Sequence, residues 1–254
     1  MFWKISATID TGDEEWQLET WRWLLDHFGG LEGLRAYPLL FPSHGDFPKS
    51  GLSGKAHAGF VLSQVAEKLG IDPAPFELIE QEPDIDPVAA PLAVVQNVPS
   101  GPAGTYSAQG NRHRITVSPR QVADLEQLIA TLAHEICHPI FFSVPEPPPG
   151  GEELEEFATD LAVAFFGFGI FGGNGSFNFQ QFRDDGTGTQ GWSVQRLGYL
   201  TQNEWGYALA VRAHLTGEDI APIKDHANDG LWLNTKKNFR YLERNTDKLE
   251  PLRS

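Results

Sequence analysis

Leu128-Ile129-Ala130-Thr131-Leu132-Ala133-His134-Glu135-Ile136-Cys137-His138 is the stretch on which the reading of this chain turns. Its apolar residues, with Val122 and Leu125 ahead of them, recur at helical spacing, which predicts an apolar helix with the two histidines on its last turns. On such a helix the His134 and His138 imidazoles lie about 40° apart on one face. Two ring nitrogens so placed can share a single ion. Glu135, rotated about 100° from His134, can reach a water on that ion without being forced among the ligands. Neutral nitrogen ligands, an open position for water and a carboxylate to take the water's proton are the requirements of metal-assisted hydrolysis, and zinc is the ion they predict.

Zinc needs a third protein ligand, and a second segment of helical pattern offers one. Glu155-Glu156-Phe157-Ala158-Thr159-Asp160-Leu161-Ala162 places Glu156 and Asp160 at i, i+4 on one face. Glu156 would complete a two-histidine, one-carboxylate set, and Asp160 could accept the spare N–H of a liganding imidazole and fix its tautomer. Asp160 as the ligand itself is the alternative. Glu152 and Glu153 read as a solvated helix start, because carboxylates are favoured beside the positive end of a helix dipole.

HEICH followed by Glu156-x-x-x-Asp160 resembles the gluzincin metallopeptidases, the group that includes thermolysin. The resemblance covers residues 105 to 171. It implies His134, His138 and Glu156 as metal ligands, Glu135 as general base, and Asp160 as the buttress of a liganding histidine. The run Thr159 to Phe171 is also similar to a bacterial group of zinc-peptidase-like proteins, a likeness that carries no substrate. The fold implied is α+β and zincin-like, with the HExxH helix packed on a small mixed sheet and further helices around it. With no repeat and no clean linker, residues 1–254 are expected to form one compact domain. Residues 1–100 would serve as wall and lid, and 101–254 as the metallopeptidase-like half.

Composition narrows the partners. A chain of 254 residues, 41% of them hydrophobic, is long enough to bury a sizeable core. A formal charge of −15 opposes nucleic acid and anionic membrane surfaces as partners, and a peptide or protein substrate is what the resemblance implies. Cys137 is the single cysteine, so no disulfide forms within the chain; its place on the helix predicts a core residue and not a ligand. No secretory leader and no long apolar run is visible, and the expectation is a soluble cytoplasmic protein.

Around the motif, residues 1 to 10 read as a short strand, and Glu14 to Phe28 as a helix of core aromatics stopped by Gly29-Gly30. Pro38 to Gly54 reads as a loop, and Lys55 to Leu69 as a helix closed by Gly70. Short strands are expected at Phe76 to Ile79 and Leu92 to Val95. A hairpin follows, Gly104 to Ser107 and His113 to Val117 about a turn near Gly110-Asn111, whose edge could hold an extended substrate. Arg112, Arg114 and Arg120 make it the most basic patch of the chain, either for substrate or as edge protection. Pro119 is expected to open the HExxH helix, and Pro139, directly after His138, to end or kink it. The glycine- and phenylalanine-rich stretch 167 to 191 reads as a flap or a poorly ordered insertion. Thr201, ahead of Glu204, marks a capping box opening a helix to Leu215, and Leu231 to Arg244 reads as a final helix with a solvated basic face. His44 and His57 have no partners at ligand spacing. Tyr106, Tyr199, His214 and His226 are the possible oxyanion donors. A zinc-containing sensor or binding protein without general turnover is the rival of the hydrolase reading.

Overall fold

The computed structural model describes residues 5–80, 104–109, 112–184 and 200–253. It is a mostly helical α+β chain whose nine α-helices and three strands, among the described residues, run α1 (Thr11–His27), α2 (Gly30–Ala36), α3 (Gly54–Leu69), β1 (Phe76–Glu80), β2 (Gly104–Gln109), β3 (Arg112–Val117), α4 (Pro119–Ala123), α5 (Leu125–Phe142), α6 (Glu155–Phe165), α7 (Gly169–Asp184), α8 (Gln202–Thr216) and α9 (Asp229–Leu242). The contacts divide it into two units, one of Met1–Pro48 with Ile136–Ser254 and one of Lys49–Glu135, the division falling inside α5.

The unit Lys49–Glu135 holds the sheet. β3 is central, with β1 parallel to it from Phe76 opposite His113 and β2 antiparallel from Gly104 opposite Val117. Ile115 and Val117 alternate into the interior along β3, the period-two pattern of a half-buried strand, and α3 packs against β1. Arg114 lies 3.3 Å from the Glu77 carboxylate of the neighbouring strand, so that part of the basic patch is an ion pair across the sheet. The strand expected at Leu92 to Val95 and the turn at Gly110-Asn111 lie outside the described residues.

The other unit is helical. α1 is capped at Asp10, whose side chain accepts the Asp13 N–H, and it ends where Gly29 takes a left-handed φ of 86°. Residues 5–10 form no strand; that segment is the cap, not a sheet edge. Trp21 and Trp23 are buried, with Trp21 against Phe165 of α6 and Trp23 edge-on to Phe141 of α5. The core reading of these aromatics is therefore borne out. Arg212 of α8, buried in an otherwise apolar run, donates to the Ala164 and Phe165 carbonyls that end α6 and pairs with Glu218. A cation on the last carbonyls of a helix satisfies groups the helix leaves open.

The stretch read as a flap or a poorly ordered insertion departs from both in its first part. Its first part, Gly169–Asp184, is α7, with Ile170 and Phe171 fully buried; residues 185–199 lie outside the described residues. The glycines there admit neighbours instead of loosening the chain. A Cβ on Gly172 would stand 2.3 Å from the Trp205 ring, and one on Gly173 would stand 2.6 Å from Leu231.

Candidate metal centre

The HExxH helix does not begin at Pro119. That proline opens the separate helix α4, closed after one turn by Asp124 in extended conformation, and Asp124 then caps α5 through its side chain to Gln127 N–H. Ser118 and Gln121 form a reciprocal capping box on α4, and Gln121 also donates to Thr131 Oγ1 of α5 at 2.9 Å. Nor does α5 stop at Pro139. It runs on to Phe142, although the ring removes the bond to the Glu135 carbonyl and crowds that carbonyl, and Phe141 is buried in the following turn.

α5 is buried on nearly every side between Thr131 and His138, with Leu132, Ala133, Ile136 and Cys137 fully enclosed. The three polar side chains of the motif share this burial: His134, Glu135 and His138 are 6%, 4% and 7% exposed. Polar groups this deep need partners, and each has at least one.

Glu156 comes from the first turn of α6. A short 3-10 helix, Gly151–Leu154, leads into it, with Glu152 and Glu153 exposed as expected of a solvated helix start. α1 holds this approach: Trp16 Nε1–H donates to the Pro149 carbonyl at 2.9 Å, and its ring meets Phe157 edge-on. Ligand atoms of His134, His138 and Glu156 all lie within 4.8 Å of one another. Glu156 Oε2 stands 3.7 Å from His138 Nε2. Two atoms each about 2.1 Å from one tetrahedral ion are about 3.4 Å apart, whereas a direct N–H···O⁻ bond would close to about 2.8 Å. The Glu156–His138 pair is near the spacing of two ligands on one ion, and the three side chains together could hold a metal ion.

Asp160 accepts the Leu200 N–H through Oδ2 at 2.9 Å, tying α6 to the residue before the Thr201 cap of α8. The group of side chains that could hold an ion includes Glu156 and does not include Asp160. Cys137 is buried and outside that group; burial, and after it the negative charge of Asp160, push its thiol well above the ordinary range. A proton held that firmly suits a core residue. Glu155, beside Glu156, is raised by burial and then by the charges of Glu156 and Glu152. Its carboxylate lies 3.9 Å from His138 Nδ1, a neighbour to which the sequence reading gave no role. The only sequence signal for it is position: a residue preceding Glu156 on a helix sits about 100° around the same end.

None of the other histidines among the described residues belongs to this group. His214 stacks on Phe239 with centroids 4.2 Å apart and bonds its carbonyl through Nε2, a packing role on α9. His226 lies against Phe41, and His44 and His57 stand outside the metal group. The Tyr106 side chain and Tyr199 lie outside the described residues.

The fold and site thus define an α+β protein in which two buried histidines and an exposed glutamate form a group able to take a metal ion, and no described helix is long and apolar enough to cross a membrane. Comparison with protein-family models, with curated proteins and with solved structures found no match.

Proposed function

We propose that this chain is a zinc-dependent hydrolase of zincin-like, gluzincin type, and in the simplest case a peptidase acting on a peptide or protein. The observation that carries the reading is the convergence of His134, His138 and Glu156 to within 4.8 Å, with Glu135 on the same buried stretch of helix. His134 and His138 would hold zinc through ring nitrogens and Glu156 through a carboxylate oxygen. Zinc held there would supply a Lewis acid and would lower the pKa of a water on it towards about 7. Glu135 takes the proton of the attacking water and returns it to the leaving amine, while the buried surroundings strengthen every charge interaction the residues make. Asp160 is the carboxylate proposed to steady a liganding histidine.

The depth of the motif favours a second reading, a zinc-containing sensor or binding protein with little general turnover, since both histidines and Glu135 are almost wholly enclosed. Zinc content and hydrolysis of a fluorogenic peptide mixture, measured in the wild type, Glu135→Gln and Glu156→Ala, separate the two. The hydrolase predicts one zinc per chain in the wild type. Glu135→Gln should keep that zinc and lose activity by about 10²-fold or more, and Glu156→Ala should lose zinc. A wild type that holds zinc and cleaves nothing supports the binding protein, and full zinc in Glu156→Ala removes Glu156 from the ligand set.

A further inference from the structure

Consecutive residues of α6 straddle one imidazole. Glu156 Oε2 faces Nε2 of His138 at 3.7 Å, and Glu155 Oε1 faces Nδ1 of the same ring at 3.9 Å. An imidazole offers one nitrogen to a given ion, and the other, in the neutral ring, carries a hydrogen that needs an acceptor when buried. Neighbouring helix residues point about 100° apart, which lets the two carboxylates approach different nitrogens of the ring. Glu155 is also outside the group of ligand atoms that converge for a metal, although it touches one member of that group.

We infer that Glu155 is a positioning residue, which accepts the Nδ1–H of His138 and so presents Nε2 of that ring toward Glu156. The inference rests on the zinc-site reading above and deepens it. Asp160, the acceptor that the sequence offers, directs Oδ2 to Leu200 N–H. Glu155 stands beside this ring with a side chain 28% exposed, and the Thr159 hydroxyl donates to its carbonyl at 2.9 Å. Closing 3.9 Å to a hydrogen bond takes about 1 Å, within the reach of a rotating glutamate side chain. The arrangement gives His138 a defined tautomer and orientation before an ion arrives, and outer partners of this kind are worth about 10–100-fold in metal affinity.

Zinc dissociation constants, read by competition with a chromophoric chelator, test this in the wild type, Glu155→Gln, Glu155→Ala, Glu153→Ala and Glu156→Ala. Thermal unfolding of each metal-free variant confirms that it is folded. Glu155→Ala should weaken zinc about 10–100-fold while keeping a stoichiometry of one. Glu155→Gln retains an acceptor oxygen and should recover most of that loss. Glu153→Ala, which removes an exposed charge from the same helix start, should stay within about threefold of the wild type. In the zinc-loaded wild type, nitrogen NMR of His138 should show Nδ1 protonated and its hydrogen slow to exchange, and in Glu155→Ala that protection should be lost. Wild-type affinity in Glu155→Ala, or an equal loss in Glu153→Ala, overturns the role given to Glu155. Absence of zinc binding by the wild type itself overturns the site reading instead, so the two failures are distinct.

Discussion

Glu204 serves two requirements that pull against each other. Its carboxylate accepts the Thr201 N–H at 2.6 Å, closing the reciprocal cap that starts α8, and the same position takes it out of water near Asp13 and Asp160. Burial is the largest cause of its raised pKa, the bonds from Thr201 pull it back, and the two aspartates add to the rise. Because the folded carboxyl holds its proton to higher pH than the unfolded one, the folded state binds more protons across that window. Stability therefore falls as pH rises from about the unfolded value of 4.5 through the folded value, and stays at the lower level above it. Glutamine can make the same cap without ionising. Glu204→Gln should leave α8 intact and flatten the pH dependence of the urea midpoint above pH 5, with the variant equal to or more stable than the wild type at pH 7. A variant less stable at pH 7 with the wild-type slope would show that the charge itself stabilises the cap.

Helices α8 and α9 depend on an absence of side chain where they cross. A Cβ on Gly206 would stand 2.6 Å from Asn234 Cβ and 2.9 Å from the Asn234 carbonyl carbon and the Thr235 nitrogen, so backbone as well as side chain would have to retreat. Gly206→Ala should therefore destabilise the protein by about 1–3 kcal/mol in chemical denaturation, despite alanine's better helix propensity; a neutral or stabilising result would mean that the helices can part at no cost. The same physics explains what could be read from the sequence. α1, α3, α8 and α9 were legible because each carries a local signal, a cap, a glycine stop or an apolar period, and the metal motif was legible because His134 and His138 are one turn apart on a single helix. α7 was not, since Gly172 and Gly173 look like loop residues until Trp205 and Leu231 fill the space above them. α4 and α5 were merged in the same way, because the break at Asp124 has neither glycine nor proline to announce it. Glu156 could be guessed from spacing, but Glu155 becomes distinct only when the ring of His138 is placed between the two carboxylates.

At the scale of the whole chain, 34 acidic residues against 19 basic ones attract any cation, so binding of zinc alone identifies nothing. Stability linkage separates a site from an atmosphere. A ligand that binds only the folded state adds RT ln(1 + [L]/Kd), about 4 kcal/mol at a thousand times Kd, whereas diffuse attraction to carboxylates is shared with the unfolded chain and screened by salt. Zinc and magnesium also differ in what they accept: magnesium keeps to oxygen ligands, while imidazole nitrogen suits zinc. Zinc at saturating concentration in 0.15 M salt should therefore raise the urea midpoint of the wild type, and EDTA should reverse the rise. Magnesium at the same concentration should leave the midpoint unchanged. In Glu156→Ala the zinc-dependent part should fall to that magnesium level, because the acidic surface loses one carboxylate of many whereas the converging set loses one of its three members. An equal rise with magnesium, or one that survives the loss of Glu156, would assign the effect to the acidic surface and leave the two histidines as buried polar residues of α5.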